Sequence, residues 1–278
     1  MLKLGVHLPS SSLIGFSKMS EELEINTFQL FLRSPQMMNS KQKNFDKKDL
    51  DEFLTNYNGI KIFNVLGHAP FVANAASSKD FVRTKSIDII KEDLETLNLI
   101  PNSLYVIHPG SHVGDGVDIG IERIIDIYNK AMFKEQETIL LLETMAGKGS
   151  ELGKNFDELA KIIKGIEYKD KIGVCLDTCH VWDAGYDLEN DFDGVLEEFD
   201  EKIGLDKLKA IHLNNSLNDC GSRKDRHSNL YNGKISTTFY ERILNDKRTK
   251  EIPFYLETPF EKLEDYKKDL DFLKNLIK

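Results

Sequence analysis

The sequence predicts an α/β protein of the (β/α)8 TIM-barrel class. About eight short apolar strands alternate with helical segments along all 278 residues, as is typical of parallel barrels. Most of these strands run directly into a histidine or a carboxylate, and barrels of this class carry their catalytic groups at the carboxyl ends of strands. No linker, low-complexity stretch or change of composition divides the chain. We therefore expect a single TIM-barrel domain over residues 1–278.

Short apolar runs, several of them rich in β-branched residues, predict the strands. Apolar side chains at helical spacing predict the helices, as at Phe81, Ile87, Ile90, Leu94 and Leu97. In the first half, strands are predicted at 4–8, 27–33, 62–67 and 104–107, and helices at 21–25, 47–57 and 78–99. In the second half, strands are predicted at 138–142, 172–176, 208–211 and 253–256, and helices at 119–133, 156–166, 193–203, 239–244 and 262–277. Residues 182–187 are predicted to form a loop.

The composition is typical of a globular, intracellular protein. Hydrophobic residues make up 40% and charged residues 30%, which is ordinary for a chain that buries a core. No apolar run approaches the ~20 residues that span a membrane, and the first six residues are too short for a signal peptide. An odd number of cysteines, Cys175, Cys179 and Cys220, favours reduced thiols. We expect a cytoplasmic protein without membrane contact and, because no seam of exposed apolar residues is evident, a monomer.

The net charge of −9 leaves the class of partner open. An acidic protein ordinarily repels nucleic acid. Three bound divalent cations would, however, offset six of these charges and concentrate positive potential at their site. Net charge therefore does not exclude a protein that binds DNA.

All seven histidines fall at the carboxyl ends of predicted strands or in the loops beyond them. Five end a strand or closely follow one, and two lie in longer loops on the same rim of the barrel. The five are His7, His68, His108, His180 and His212, and the two are His112 and His227. A lone buried histidine is more often a core residue than a ligand, but here none is left for the helices or the opposite rim. This distribution predicts a metal site.

Carboxylates occupy the same strand ends. Glu143 and Glu257 each end an apolar strand, where an unpaired carboxylate would cost several kcal/mol or become protonated. Asp177 follows another such strand, and carboxylate with imidazole suits a zinc-like cation. Two alternatives stay open at this stage. Asp177 can instead cap a following helix, and Asp225 with His227 can instead belong to a solvated turn.

Two of the cysteines, Cys175 and Cys179, flank Asp177 and can also be considered as zinc ligands. Their spacing fits no usual zinc knuckle. We interpret them as small buried thiols that support the strand end.

Several motifs together resemble one known family. In chain order they are HPGSH (108–112), LLETMAGKGSELG (141–153), GVCLDTCH (173–180), HLNNS (212–216), GSRKDRH (221–227) and LETP (256–259). They resemble the endonuclease IV family of apurinic/apyrimidinic endonucleases over nearly the whole chain and in the right order. GVCLDTCH together with GSRKDRH is highly specific for that family.

The resemblance implies a zinc-dependent phosphodiesterase of base-excision repair. Such an enzyme would cut the phosphodiester 5′ to an abasic site in double-stranded DNA and leave a 3′-hydroxyl and a 5′-deoxyribose phosphate. Three Zn²⁺ ions are implied, although Mn²⁺ or Fe²⁺ can occupy such ligands, and Glu143 is the expected catalytic residue, bridging two metals and orienting the attacking water. The implied ligand sets are His68 with His108; Asp177, His212 and Glu257, with Glu143 between these two sets; and His180, Asp225 and His227.

The differences from that family lie in the loops that would face DNA. The first-strand histidine is followed by LPSSS where many members have a glycine pair, and PQMM at 35–38 stands where an arginine or tryptophan often enters the duplex. Phe71 replaces a frequent tyrosine, and LY at 230–231 replaces an isoleucine–glycine step. The residues expected to contact DNA are Gln36, Met37, Met38, Phe71 and Arg226. The two methionines can alternatively pack beneath a helix.

Two other functions are consistent with parts of this pattern. A metal-dependent sugar isomerase or epimerase of the related barrels also carries Glu, Asp and His at strand ends, but it leaves Asp225 and His227 unexplained. A barrel that binds nucleic acid around a purely structural metal site would bind an abasic duplex without cutting it. Metal counting and an incision assay separate the three hypotheses.

Overall fold

The computed structural model describes residues 1–43, 45–60 and 62–278, with the backbone alone for 56–60. Over these residues, eight parallel strands alternate with helices and form the predicted TIM barrel. The barrel strands are β1 (Leu4–Val6), β2 (Phe28–Phe31), β3 (Val65–His68), β4 (Leu104–Ile107), β5 (Ile139–Glu143), β6 (Ile172–Asp177), β7 (Leu208–His212) and β10 (Phe254–Leu256). A small antiparallel pair, β8 (Asn215–Ser216) and β9 (His227–Ser228), lies beyond β7.

The strands follow one another around the barrel in the order β1–β10–β7–β6–β5–β4–β3–β2. The barrel is closed where β1 meets β2, at a parallel bridge between His7 and Gln29. There the Leu8 amide donates to the Gln29 carbonyl over 2.9 Å, and at the other end of the contact the Asn26 amide donates to the Leu4 carbonyl over 3.2 Å. We refer to this contact of β1 with β2 as the seam.

The α-helices pack around the outside of the barrel. They are α1 (Leu13–Leu23), α2 (Lys47–Ile60), α3 (Asp80–Leu97), α4 (Val117–Ala131), α5 (Phe156–Gly165), α6 (Thr178–Ala184), α7 (Phe192–Lys202), α8 (Thr237–Asn245) and α9 (Asp265–Lys274). The prediction of a helix at 21–25 captured only the last turn of α1. Ser12 caps the actual start, because its hydroxyl accepts from the Gly15 amide over 3.0 Å.

The prediction of a loop over 182–187 was wrong in its first half, because α6, which was not predicted, extends to Ala184. Asp177 caps this short helix by accepting from the His180 amide over 2.8 Å. Gly185 ends the helix with a left-handed φ of 112°, which glycine adopts without strain. Asp177 therefore is a helix cap, as one alternative held, while its other oxygen, Oδ2, faces the barrel mouth, 3.8 Å from His212 Nδ1.

The barrel has two hydrophobic cores. The larger one lies between the strands and the surrounding helices. The smaller one fills the barrel interior and consists of Leu66, Leu104, Val106, Leu141, Cys175, Ala210 and Tyr255. Because side chains alternate between the two faces of a strand, the residue two positions beyond an inward residue also points inward. The interior residues therefore place six polar side chains one layer higher, at His68, His108, Glu143, Asp177, His212 and Glu257.

A buried carboxylate on α3 holds both ends of the loop after β2. Arg33 donates to Asp93 Oδ1 from Nε over 3.0 Å and from Nη2 over 2.7 Å. Gln42 donates to the same oxygen over 2.8 Å. The loop 34–41 therefore leaves the barrel and returns to it at one point, which is typical of a compact Ω-loop.

No helix within the described residues is long and apolar enough to cross a membrane.

Candidate metal centre

The polar strand ends converge at the mouth of the barrel around Glu143, which is fully buried. Their donor atoms form groups in which all atoms lie within 4.8 Å of one another. Three of these groups have the composition that the family resemblance implies. They are His68, His108 and Glu143; Glu143, Asp177, His212 and Glu257; and His180, Asp225 and His227.

Glu143 lies between the first two groups. Its Oε2 is 3.4 Å from His68 Nε2 and 3.3 Å from His108 Nε2. Its Oε1 is 3.0 Å from His212 Nδ1. A carboxylate whose two oxygens face different sets of donors is placed to bridge two cations.

Asp177 and Glu257 flank His212 in the second group. His212 Nδ1 is 3.8 Å from Asp177 Oδ2 and 3.4 Å from Glu257 Oε2. Asn214 connects the Asp177 carboxylate to the backbone of Glu257, since its Nδ2 donates to Asp177 Oδ2 over 2.7 Å and its Oδ1 accepts from the Glu257 amide over 2.9 Å. The second group is thus held rigidly from the β7 side.

The third group depends on the loop between β8 and β9. His180 Nε2 is 3.1 Å from Asp225 Oδ1, and His227 Nε2 is 3.7 Å from the same oxygen. Asp225 has a left-handed φ of 54°, which is uncommon outside glycine. The buried Asp183 carboxylate stabilises this conformation by accepting from the Asp225 amide over 2.7 Å and from the Ser216 hydroxyl over 2.7 Å.

Charge proximity shifts the pKa values of acids and bases in opposite directions. Burial would raise the pKa of Glu143 and Glu257, but the neighbouring histidines hold the pKa of Glu143 well below its ordinary value and lower that of Glu257 to about 2. Burial would lower the pKa of His180 and His212, but nearby anionic groups raise both pKa values well above the ordinary range. The bare site therefore combines ionised carboxylates with imidazolium groups, whose positive charge divalent cations can replace.

The donor set fits divalent cations of the zinc type. Imidazole nitrogens and carboxylate oxygens make up all three groups, and both are preferred zinc ligands. Glu143 Oε2 and His227 Nε2 are buried and have no hydrogen-bond partner within the described chain. Such unsatisfied buried atoms are rare in native proteins, and a bound cation would satisfy both.

An open cavity of about 300 Å³ lies above these groups, with one aromatic and one polar side. The aromatic side is formed by Phe31, Phe71, Phe260 and Tyr266. The polar side is formed by His7, His108, His180, Asp225, His227 and Glu257.

Phe71 is an expected DNA-contacting residue that lies against the metal groups. Its ring centroid is 5.5 Å from those of His68 and His108. The side chain is nevertheless 52% exposed, so one face of the ring remains open to the cavity. Phe71 can therefore touch both the site and a molecule that enters it.

The other expected DNA contacts lie on exposed loops. Met37 is 61% exposed and Gln36 is exposed, whereas Met38 is half-buried. Met37 therefore does not pack beneath a helix, contrary to the alternative considered for both methionines. Arg226 is exposed, and its guanidinium donates to the Asp225 carbonyl over 3.1 Å.

The two histidines outside the implied ligand sets have separate surroundings. Burial lowers the pKa of His7 to about 4, so its ring is neutral, and its Nδ1 is 3.1 Å from Gln29 Nε2. His112 Nδ1 accepts from the amides of Gly114 and Gly116 and thereby orders its own loop.

Three polar side chains that hold the site together were not predicted from the sequence. Asn214 and Asp183 fix the second and third groups through the hydrogen bonds given above. Gln29 is fully buried in β2 and bonds to His212 over 2.7 Å and to Glu257 over 2.5 Å. A polar residue at an inward position of an apolar strand was the signal that could have identified Gln29.

The cysteines agree with the prediction of buried thiols. Cys175 belongs to the inner core, and burial raises its pKa to about 11. Cys179 is also buried, which raises its pKa, although its sulfur lies in a further group with Asp177 and His227. Cys220 is exposed, and all three cysteines are free.

The amino-acid sequence matches the family described as "Xylose isomerase-like TIM barrel" over residues 18–276. It is also similar to proteins named "Probable endonuclease 4" from several organisms. The Clostridium beijerinckii protein is 48% identical over 279 residues, with 99% of each chain covered. The Methanosphaera stadtmanae protein is 44% identical over 281 residues, with 100% of each chain covered.

Solved structures show the same similarity in three dimensions. Endonuclease IV from Thermus thermophilus superposes with a TM-score of 0.86 at 29% identity, covering 99% of this chain and 98% of that chain. D-Psicose 3-epimerase from Clostridium cellulolyticum superposes with a TM-score of 0.65 at 13% identity, with all of both chains covered. The second similarity extends to the fold alone.

Proposed function

Because this chain belongs to the endonuclease IV family of apurinic/apyrimidinic endonucleases, a family of DNA-cleaving hydrolases, we propose that it cuts double-stranded DNA at abasic sites in a zinc-dependent reaction. The bond hydrolysed is the phosphodiester 5′ to the abasic site. The products are a 3′-hydroxyl and a 5′-deoxyribose phosphate, which are intermediates of base-excision repair.

One observation carries this proposal. Three groups of imidazole and carboxylate donors share one open barrel mouth, and Glu143 belongs to two of them. An unactivated phosphodiester resists hydrolysis because the attacking oxygen, the phosphoryl group and the leaving oxygen all require charge stabilisation. A site able to hold several cations at adjacent positions meets that requirement.

The side chains of the proposed centre divide into those that hold cations and those that shape the cavity. Zn²⁺ ions bound there would supply Lewis acidity, which lowers the pKa of water from about 15.7 towards ~7 and offsets phosphate charge. Glu143 would hold two ligand groups at a fixed separation, and its ionised state is favoured by the histidines around it. The aromatic side of the cavity offers an apolar surface to a sugar that lacks its base.

Loops at the rim would recognise the duplex. Arg226 is exposed beside the third group, where its guanidinium can contact a DNA phosphate. The exposed Met37, with Gln36 and Met38 beside it, is placed to enter the base stack at the gap that an abasic site leaves. Phe71 would pack against the extruded sugar.

A sugar isomerase or epimerase is the alternative, and the fold alone is compatible with it. Such an enzyme needs one or two cations and a base that shuttles a proton. In such an enzyme the group formed by His180, Asp225 and His227 has no role. The Asp183 carboxylate nevertheless stabilises the left-handed backbone conformation of Asp225, by accepting from the Asp225 amide and the Ser216 hydroxyl. The third group therefore favours the endonuclease.

Incision of a labelled duplex that contains a single abasic site tests the proposal. We expect one cut 5′ to the site, loss of cutting after chelation and recovery on adding Zn²⁺, with metal analysis giving three zinc ions per chain. Binding of the abasic duplex without incision would support the non-enzymatic alternative. Turnover of a ketose or aldose with no incision would support the epimerase.

The enzyme we propose works as a single-domain monomer in the cytoplasm, where its DNA substrate lies. Sedimentation equilibrium of the free protein and of its complex with an abasic duplex tests the stoichiometry. A mass of twice the expected 31.8 kDa for the free protein would contradict it.

A further inference from the structure

Gln29 is a fully buried amide inside the barrel, and its side chain joins three residues of the barrel mouth. Its Nε2 donates to Glu257 Oε1 over 2.5 Å and lies 3.1 Å from His7 Nδ1. Its Oε1 lies 2.7 Å from His212 Nε2. All the polar atoms of this side chain therefore have partners, which lie at the carboxyl ends of β1, β7 and β10.

The partners fix which way the amide points. A carboxylate only accepts hydrogen bonds, so the amide nitrogen of Gln29 must face Glu257 and its oxygen must face His212. Because a carbonyl oxygen only accepts, His212 Nε2 must carry the hydrogen between them. His7 Nδ1, 3.1 Å from the same amide nitrogen, then accepts its second hydrogen.

The hydrogen on Nε2 determines which nitrogen of His212 can bind a cation. With Nε2 protonated, His212 can present only Nδ1 to a cation, and Nδ1 is the atom that lies 3.0 Å from Glu143 and 3.4 Å from Glu257. Metal-ligating histidines generally need such a partner on their other nitrogen, because it fixes the tautomer and the ring orientation. Gln29 supplies it from a strand that has no ligand in the second group.

We propose that Gln29 is a positioning residue for the metal centre, which fixes the tautomer of His212 and the orientation of the Glu257 carboxylate. This inference rests on the proposed zinc-dependent function. It adds a residue that contributes no ligand and that the family motifs did not identify.

Zinc affinity tests this role independently of DNA cleavage. In the full-length protein, competition with a chromophoric chelator would measure zinc binding to the parent, Gln29→Met and Gln29→Ala. We expect both variants to bind zinc at the second group about 10–100-fold more weakly, which is the usual effect of losing such a partner. Gln136→Met is the matched control, because Gln136 is equally buried but its side chain bonds to the Thr138 carbonyl and to no residue of the barrel mouth among the described residues. Its zinc affinity should equal that of the parent.

Kinetics separate positioning from general destabilisation. With abasic duplex at saturating zinc, Gln29→Met should lower kcat while KM stays near the parent value, since the rim loops are unchanged. Excess zinc should restore part of the activity of Gln29→Ala, where a water molecule can replace the amide. Circular dichroism of the metal-free variants verifies folding, and if Gln29→Met does not fold, Gln29→Ala decides the question.

A folded Gln29 variant with parental zinc affinity and parental kcat would overturn the inference while leaving the proposed function intact. A parent that binds zinc but does not cut abasic DNA would overturn the proposed function, and the zinc affinities would still decide the role of Gln29. A parent that binds no zinc would overturn both.

Discussion

Individual side chains at the barrel mouth differ in how many of the three implied ligand groups they serve, and Glu143 serves two of them. Its two oxygens face different histidines, and one of those oxygens has no hydrogen-bond partner in the described chain. Loss of one charge at this position should therefore affect two groups at once. A residue at the edge of the cavity, such as Arg226, should affect DNA contacts alone.

Replacing Glu143 with glutamine should abolish incision by several orders of magnitude while the protein stays folded. The neutral amide has the same shape, but its NH₂ group repels one of the two cations that it would have to join. Incision of an abasic duplex and metal analysis measure the effect. Glu158→Gln is a matched control, because Glu158 is a buried glutamate whose carboxylate instead accepts from the Gly153 amide over 2.8 Å, before the start of α5. Parental incision by Glu143→Gln with full zinc content would contradict the prediction.

His7 should make the fold sensitive to mild acid. Burial lowers its pKa from 6.5 to about 4, while Glu257 raises it and His68, Lys43 and His212 lower it further. Between these two values the unfolded chain gains a proton that the folded chain does not. Stability is therefore present above pH 6.5 and falls as the pH drops towards 4, by on the order of 3 kcal/mol.

The His7→Asn variant isolates this effect, because the Asn oxygen can still accept from Gln29 but does not titrate. Urea unfolding of both proteins from pH 7 to pH 4 measures it. We expect the stability of the parent to fall more steeply with acid than that of the variant. Parallel pH profiles would show that His7 does not titrate in this range.

The secondary-structure elements show what the sequence could and could not predict. All eight barrel strands were predicted because each is an apolar run, and parallel strands are buried on both faces. Helix α6 was missed because it has only seven residues, too few to show a helical period, and its polar residues were interpreted as metal ligands. Six of the nine predicted ligands were brought together because they lie at the ends of barrel strands, whereas His180, Asp225 and His227 come from α6, from the loop that leads into β9 and from the start of β9. Asn214, Asp183 and Gln29 were missed because their role depends on neighbours that are remote in sequence.

The loop after β2 is a separate element whose position depends on α3. Asp93 holds its two ends through Arg33 and Gln42, and the exposed residues lie between them. Because both ends of the loop are held in place, the loop loses less conformational entropy on binding. The tip can therefore differ from that of other family members without disturbing the barrel.

Replacing Met37 and Met38 with serine should weaken binding to abasic duplex with little change in zinc content or melting temperature. Apolar wedges compensate for unstacking of the duplex, which costs a few kcal/mol per step, and serine cannot do so. Fluorescence anisotropy with abasic and intact duplexes measures the loss. Cleavage of a small phosphodiester that needs no bent duplex is the internal control and should persist. Unchanged binding and cutting of abasic DNA would show that these residues only pack the rim.

The whole molecule combines a hydrophobic barrel with a polar mouth that contains many ionisable groups. Neighbouring histidines lower the pKa of Glu143 and of Glu257, and without cations the charges of His180 and His212 balance part of the negative charge. That balance weakens as the pH rises and the histidines lose protons. Cations would replace it over the whole neutral range.

Chelation should lower activity and stability together. Ligands that bind only the folded state stabilise it by about 4 kcal/mol at a thousand times their Kd, and for a chain of this size 1 kcal/mol shifts Tm by roughly 2–4 °C. We therefore expect the melting temperature to fall by roughly 10 °C when zinc is removed. Differential scanning calorimetry before and after dialysis against a strong chelator measures it. An unchanged Tm in protein proven metal-free would count against the prediction.

The seam of the barrel has a consequence for the motions of the protein. His7 and Gln29 join β1 to β2 there, and the same two side chains line the metal centre, so the seam cannot open without pulling Gln29 away from His212 and Glu257. Bound zinc would then keep β1 and β2 together, in addition to its role in hydrolysis. The hydrogen on the Leu8 amide, which bonds to the Gln29 carbonyl, should exchange with deuterium more slowly in zinc-loaded protein than in metal-free protein. Equal exchange rates in the two forms would mean that the barrel opens elsewhere.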